Sequence, residues 1–135
     1  GDDPITVDPA PAIAEARAAA AFDVLEPRGL GADWPVVTAT FRRTADGAIL
    51  RIGYVDPQGD PIQLVQSNVP AATLLPAELG KTGPGGTVTV GARTWQGYQT
   101  RPGENAIALL DKDRTVLIVG AAEVSQLQKL ATALA

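Results

Sequence analysis

Alternation of apolar and polar residues predicts two groups of β-strands along the chain. In the first group, residues 36–42, 48–56 and 62–67 each place apolar side chains at every second position. An Asp-Gly pair separates the first two runs, and a stretch reading DPQGDP separates the second from the third. Because turns this short join antiparallel neighbours, the three runs predict an antiparallel meander.

A second meander is predicted in the C-terminal half. Its strands are expected at residues 87–90, 94–100, 106–110 and 115–119, each followed by a polar or glycine-containing turn or by the final helix. The last two runs are almost continuously apolar, which is typical of central strands that other layers cover. Between the meanders, residues 81–86 (KTGPGG) are predicted to form a flexible loop.

Both ends of the chain carry helical signals. Asp8 suits the N-cap of a first helix and Pro9 suits its first position. The run from Ala12 to Ala21 has high helix propensity, and the helical segment is predicted to reach Phe22. A second helix is predicted from Glu123 to Leu134, where apolar residues recur at helical spacing and need a sheet face to bury against.

Two further segments carry weaker signals. Residues 69–80 cross between the meanders and are expected to hold one or two helical turns, limited by Pro76. Residues 22–26 are compatible with a short strand. Together the elements predict an α+β fold, in which a curved antiparallel sheet of about seven or eight strands carries the N- and C-terminal helices on one face. Residues 1–7 are expected to be a flexible lead-in, and residues 8–135 a single domain.

Composition excludes several classes of chemistry. The chain has 135 residues and a net charge of -4, and its basic residues are scattered rather than gathered into the stripe that nucleic acid binding needs. There is no Cys, His or Met, so thiol nucleophiles and the usual imidazole base and metal ligands are absent. Ser67 and Ser125 are the only serines, and no histidine can activate either. We therefore expect no catalytic residue, no metal and no cofactor.

Three turn-like motifs have both a chemical and a structural interpretation. Asp56 and Asp60 lack the alternating oxygen ligands and the later Glu of a calcium loop, so a hairpin turn is favoured. The GPGG stretch at residues 83–86 lacks the Lys-Ser/Thr of a phosphate loop and is interpreted as a linker. Asp111 and Asp113 alternate with basic residues and are interpreted as a solvated hairpin tip rather than a glycosidase pair.

Four aromatic residues and one glutamine are the candidate ligand-binding residues. Aromatic rings with a polar group are favoured in grooves and interfaces. Burial at the ends of a core of small residues is the ordinary alternative, and it is favoured for large aromatic side chains. The glutamine belongs to a polar stripe that lines either a groove or the solvent face of the sheet. The candidates are Trp34, Tyr54, Trp95, Tyr98 and Gln66.

The order and spacing of several motifs resemble the actinobacterial domain-of-unknown-function family numbered 4245. The resemblance covers nearly the whole chain, from about Ile5 onward. It lies in the first helix, in the P-x-G-L-x-x-x-W run from Pro27 to Trp34, and in the sequences IGYVDPQG, LVQSN, GTVTVGARTW and VLIVGAAEVSQLQKLATAL. A broader pattern is similar to sensor domains of anti-sigma factors and to lipoprotein-carrier-like domains, which place a curved antiparallel sheet against helices.

The resemblance implies a small membrane-anchored envelope protein. Its soluble domain would lie on the extracytoplasmic face of the cell membrane, anchored by an N-terminal membrane helix that is absent from this chain. The family supplies no established catalytic residues. We therefore expect a non-catalytic binding module, not an enzyme, that takes an envelope protein or a lipid-like ligand. The alternatives are a hydrolase that works through carboxylates and a structural or assembly module.

Overall fold

Seven strands form a single antiparallel sheet in the computed structural model, which describes residues 4–134. The strands, in chain order, are β1 (Val36–Thr44), β2 (Gly47–Val55), β3 (Pro61–Ser67), β4 (Gly83–Val90), β5 (Arg93–Gln99), β6 (Asn105–Leu110) and β7 (Thr115–Gly120). The helices of the described residues are α1 (Ala10–Ala19), α2 (Ala71–Leu79) and α3 (Val124–Ala133). The predicted α+β class and antiparallel sheet are confirmed. Residues 1–3 of the predicted lead-in, and the last residue of the predicted domain, lie outside the described residues.

The strand order is β1-β2-β3-β7-β6-β5-β4. Each meander therefore stays together, and the two meet at the centre of the sheet, where β3 pairs with β7 from Ile62 opposite Gly120 to Ser67 opposite Thr115. The connection from β3 to β4 carries the chain across to the far edge. As the apolar runs predicted, β6 and β7 are internal strands, and their residues are mostly buried.

The terminal helices lie on the same face of the sheet, as predicted. α1 contacts β1 and β2, whereas α3 contacts β6, β7 and the edge strand β4. Leu127 and Leu130 of α3 are fully buried with Leu50, Leu64 and other sheet residues in the larger of two apolar clusters. Removing a side chain of this size from water contributes about 2 kcal/mol. The helical stripe predicted in α3 therefore anchors it to the sheet.

The crossing segment forms a longer helix than the sequence predicts. α2 has nine residues and continues through Pro76, although proline cannot donate the usual backbone hydrogen bond. Leu79 lies in a second buried cluster with Val65 and Leu117, on the opposite face of the sheet from α1 and α3. Burial against this face offsets the missing hydrogen bond, so the sheet is covered on both sides.

The flexible loop predicted at residues 81–86 was wrong for residues 83–86, because these residues are the start of the edge strand β4. Gly85 lies against Gly97 of β5, and a Cβ on Gly85 would come within 2.6 Å of the Gly97 carbonyl. Two facing glycines let the backbones approach more closely than side chains would permit. The pairing shifts register between Pro84 and Thr87, which marks an irregularity of the kind expected at a sheet edge.

The stretch between β2 and β3 is a turn, as predicted. The Asp56 carboxylate accepts hydrogen bonds from the backbone N–H groups of Gln58 and Asp60, at 3.0 and 2.7 Å. Gly59 adopts a positive φ of 86°, a conformation that favours glycine. This aspartate therefore organises the hairpin.

Both ends of the described chain are attached to the sheet or its neighbouring loops. The Val7 N–H donates to the Val36 carbonyl at the beginning of β1, at 2.9 Å, and the Arg28 N–H donates to the Ala133 carbonyl at the same distance. Within residues 4–134, no helix has the length and apolar character needed to cross a membrane.

Two neighbouring glycines of β4 provide a test of the close approach to β5. Gly85→Ala should lower the free energy of unfolding by about 1–3 kcal/mol, because its Cβ would collide with backbone atoms that cannot rotate away. Gly86→Ala is the matched control, since a Cβ there meets no atom within 4 Å. Guanidinium chloride titration measures both variants. Equal stability of the two variants would contradict the close packing of Gly85 against Gly97.

Candidate functional site

A groove of about 380 Å³ opens between α1, the loop that follows it and the outer end of the sheet. We call it the α1 groove. Helix α1 ends at Ala19 because Ala20 adopts a left-handed conformation with φ of 52°, and the chain then returns beneath the helix as an irregular segment. The apolar wall of the groove is formed mainly by Pro9, Ile13, Pro27, Leu30, Trp34 and Tyr54.

Trp34 and Tyr54 meet in this wall. Their ring centroids are 6.3 Å apart and the planes are inclined by 76°, an edge-to-face arrangement. Trp34 is 8% exposed and Tyr54 is 4% exposed, so both rings belong to the main core as well as to the groove. Burial in the core and a position in the groove wall are therefore not alternatives for Trp34 and Tyr54, because both residues have both.

The other two aromatic candidates lie elsewhere. Trp95 is fully buried among the core residues, and its indole N–H has no hydrogen-bond partner in the described part of the chain. Tyr98 packs on the opposite face, beside the cluster that α2 covers. The structure brings neither ring to the α1 groove.

Gln66 is fully buried and anchors the segment that forms one side of the groove. Its amide accepts a hydrogen bond from the Leu25 N–H and donates one to the Leu25 carbonyl, both at 2.8 Å. Residues 22–26, for which a short strand was compatible with the sequence, therefore form no strand. A side-chain amide replaces the backbone partner that another strand would have provided, and it orients the chain that leads to Pro27 and Trp34.

Two carboxylates, Asp8 and Glu26, also line the α1 groove. The predicted N-cap at Asp8 was wrong by one residue, because the N-cap is Pro9, which offers no side-chain cap, and α1 begins at Ala10. Asp8 Oδ1 instead accepts the Ala10 N–H from the position before the cap, at 2.9 Å.

Glu26 Oε1 pairs with the Arg17 guanidinium at 3.1 Å, in an exposed position. Burial, and secondly the Glu26 carboxylate, raise the pKa of Tyr54 to about 12. The negative charge of Glu26 therefore acts on the phenol group of Tyr54 in the aromatic wall.

Three residues of the groove were not predicted from the sequence as site residues: Ile13, Leu30 and Glu26. The available signal was the spacing of the P-x-G-L-x-x-x-W run, whose proline, leucine and tryptophan all line the groove. Their meeting with Ile13 and Tyr54 depends on contacts between separate segments of the chain.

Two other concavities carry more charged side chains than the α1 groove and no aromatic pair. The larger of the two, about 930 Å³, lies beside the end of α1, where charges of both signs from Arg17, Asp23, Lys112 and Asp113 surround a wide opening. The smaller, about 320 Å³, lies beside α2 and is lined by the Arg51–Glu78 ion pair. In residues 4–134, no group of three or more acidic side chains is placed to hold a metal ion.

Replacement of Gln66 tests the anchoring role. Gln66→Leu leaves the N–H and the carbonyl of Leu25 without their partner, and it should lower the free energy of unfolding by about 2 kcal/mol. Gln63→Leu, an exposed position of the same strand whose only side-chain hydrogen bond among the described residues is an exposed one from Arg51, should change it by less than about 0.5 kcal/mol. Chemical denaturation compares the variants. A small effect at both positions would contradict the anchoring role of Gln66.

The pKa of Tyr54 predicts an alkaline loss of stability. The folded protein holds this pKa near 12, against an ordinary value of 10.0, so folding favours the protonated phenol. The resulting stabilisation is complete below about pH 10 and is lost as the pH rises towards about 12. The free energy of unfolding should therefore fall more steeply across this interval in the wild type than in Tyr54→Phe.

Guanidinium chloride titrations at about pH 9 and about pH 11.5 measure this difference. Tyr98→Phe serves as the control, because it retains the buried Tyr54 phenol and should keep most of the wild-type pH dependence. Burial also raises the pKa of Tyr98, so this variant should lose a smaller part of it. The same pH dependence in the wild type and in Tyr54→Phe would contradict the assignment.

Comparison with known proteins places the chain in a family. No curated protein and no solved structure matches it. The sequence profile of one family matches residues 1–134, almost the full length, and this family is described as "Protein of unknown function (DUF4245)". The resemblance inferred from the order of the motifs is therefore confirmed at the level of the family, and the chain belongs to the DUF4245 family.

Proposed function

We propose that this chain is the non-catalytic extracytoplasmic domain of a membrane-anchored envelope protein, and that its α1 groove binds the apolar chain of a lipid-like ligand. The observation that carries the proposal is the groove wall, in which the Trp34–Tyr54 pair lies beside aliphatic side chains. Concave sites with apolar walls and a few polar groups are where proteins bind small molecules.

The volume of the α1 groove suits a single hydrocarbon chain. At about 380 Å³ it lies towards the lower end of the range for ligand pockets. A methylene group occupies roughly the volume of a water molecule, about 30 Å³, so the groove has room for a chain on the order of ten carbons. A branched or multi-ring ligand would need a larger space.

The position of the groove relative to the N-terminal segment supports a role near a membrane. Asp8 lines the groove, and the preceding residues Ile5 and Val7 are exposed, although both are large and apolar. A domain anchored through its N-terminus would hold this side towards the anchor. The apolar surface beside the groove would then face the membrane, from which a lipid-like ligand would come.

The roles of the two carboxylates favour binding over hydrolysis. A hydrolase would need one of them as an acid and the other as a base. Asp8 instead bonds to the first turn of α1, and Glu26 forms an exposed ion pair with Arg17. Each carboxylate therefore has a structural partner of its own, and the pair is interpreted as the polar rim of a binding site.

A variant that fills the groove tests the proposal. Ala10 is exposed and lines the α1 groove, so Ala10→Phe should occupy the space without removing core contacts. Ala18→Phe is the matched control, because Ala18 is exposed on the same helix away from the groove. Isothermal titration calorimetry with dodecyl maltoside, below its micelle concentration, measures the affinity of each protein.

The wild type and Ala18→Phe should bind this probe with a negative heat-capacity change, and Ala10→Phe should bind at least about tenfold more weakly. Native mass spectrometry of protein purified from its own host should show bound lipid. Absence of saturable binding to the wild type would overturn the lipid-like ligand. A co-purifying protein in place of lipid would redirect the proposal to a protein partner.

A further inference from the structure

We propose that the α1 groove selects an apolar chain that ends in a cationic nitrogen group over the same chain ending in a carboxylate. This inference rests on the proposed lipid-like ligand and adds the charge of its head group. It follows from the distribution of charge around the groove, taken together with the contacts that each charged group makes.

The charged side chains that line the α1 groove are both acidic. Asp8 stands at one end of α1, and Glu26 lies on the segment that returns beneath it. No Lys or Arg among the described residues lines the groove. Arg17 pairs with Glu26, but it lines the neighbouring concavity beside the end of α1.

Each carboxylate remains available to a ligand. The hydrogen bond from Ala10 uses Asp8 Oδ1, and the ion pair with Arg17 uses Glu26 Oε1. One oxygen of each group lies outside these contacts. Both residues are exposed, so their carboxylates can meet a head group at the surface without first being taken out of water.

The aromatic wall responds to the same field. Burial raises the pKa of Tyr54, and the Glu26 carboxylate raises it further, which means that this carboxylate disfavours a negative charge on the phenol oxygen. A carboxylate head group in this part of the groove would meet the same repulsion. A cationic head group would instead gain from the carboxylates, and from the electron-rich faces of nearby aromatic rings.

The net charge of the whole chain also favours a cationic ligand. The chain carries a net charge of -4, so a cationic amphiphile is also favoured during approach. This long-range contribution is shared by every site on the protein. The two carboxylates of the groove provide the local contribution that distinguishes the proposed site.

Three probes with the same chain length separate the head group from the chain. Dodecyltrimethylammonium, dodecyl maltoside and dodecanoate are each titrated calorimetrically at neutral pH and low salt, below their micelle concentrations. The cationic probe should bind at least about tenfold more tightly than dodecanoate, with dodecyl maltoside between them. The difference should shrink at high ionic strength.

Neutral substitutions assign the preference to the groove. Asp8→Asn with Glu26→Gln should bring the affinities for the charged probes to within about threefold of each other, because the local field is lost. Asparagine retains an oxygen that can accept the Ala10 N–H. The control, Asp46→Asn with Glu15→Gln, removes two exposed carboxylates away from the groove and should keep the tenfold preference.

The outcomes distinguish this inference from the proposed function. Equal binding of the three probes, or tighter binding of dodecanoate, would overturn the charge preference and leave the lipid-binding groove in place. A preference that the Asp8 and Glu26 substitutions leave unchanged would also overturn it. Absence of binding by every probe would overturn the proposed function itself.

Discussion

The pairing of β3 with β7 is the constraint on which the architecture depends. Each meander consists of strands that follow one another along the chain, and this pairing joins the two meanders into one seven-stranded sheet. Both faces are buried at this junction: Leu64 and Ile118 belong to the cluster beneath the terminal helices, whereas Val65 and Leu117 belong to the cluster beneath α2. Gly120 makes the close approach possible, since a Cβ there would come within 2.3 Å of the Pro61 carbonyl.

Local sequence signals were sufficient for most of the elements. Alternation with period two located the strands, and the helical stripe of α3 located the layer that covers them. The signals failed where packing overrode local preference. Residues 83–86 have poor strand propensity, yet the missing side chain of Gly85 is what allows this segment to approach the backbone of β5. Pro76 weakens a helix locally, but burial of α2 against the second face of the sheet maintains it.

The groove was harder to predict because it is a product of long-range contacts. Trp34 and Tyr54 were both candidates, but their spacing in the sequence gave no indication that the rings would meet. Gln66 was a candidate because of its polarity, and its buried amide instead fixes the segment that forms a wall of the groove. Glu26 looks like an ordinary charged loop residue until the fold places it beside an apolar concavity. The periodicity of apolar residues predicts which face of a strand or helix a residue occupies. It does not predict which distant segments of the chain come together to form a site.

The two edges of the sheet bear on how the domain avoids uncontrolled growth. At one edge, Val7 occupies the Val36 carbonyl, so the first backbone acceptor of β1 is already taken. At the other edge, Pro84 cannot donate a hydrogen bond, and the register shift that follows interrupts the regular spacing of donors and acceptors. Each edge therefore presents a shorter regular template to a strand from another molecule than the length of the edge strand alone suggests. An open sheet whose edges are shortened in this way offers fewer regular positions at which edge-to-edge association into fibres could begin.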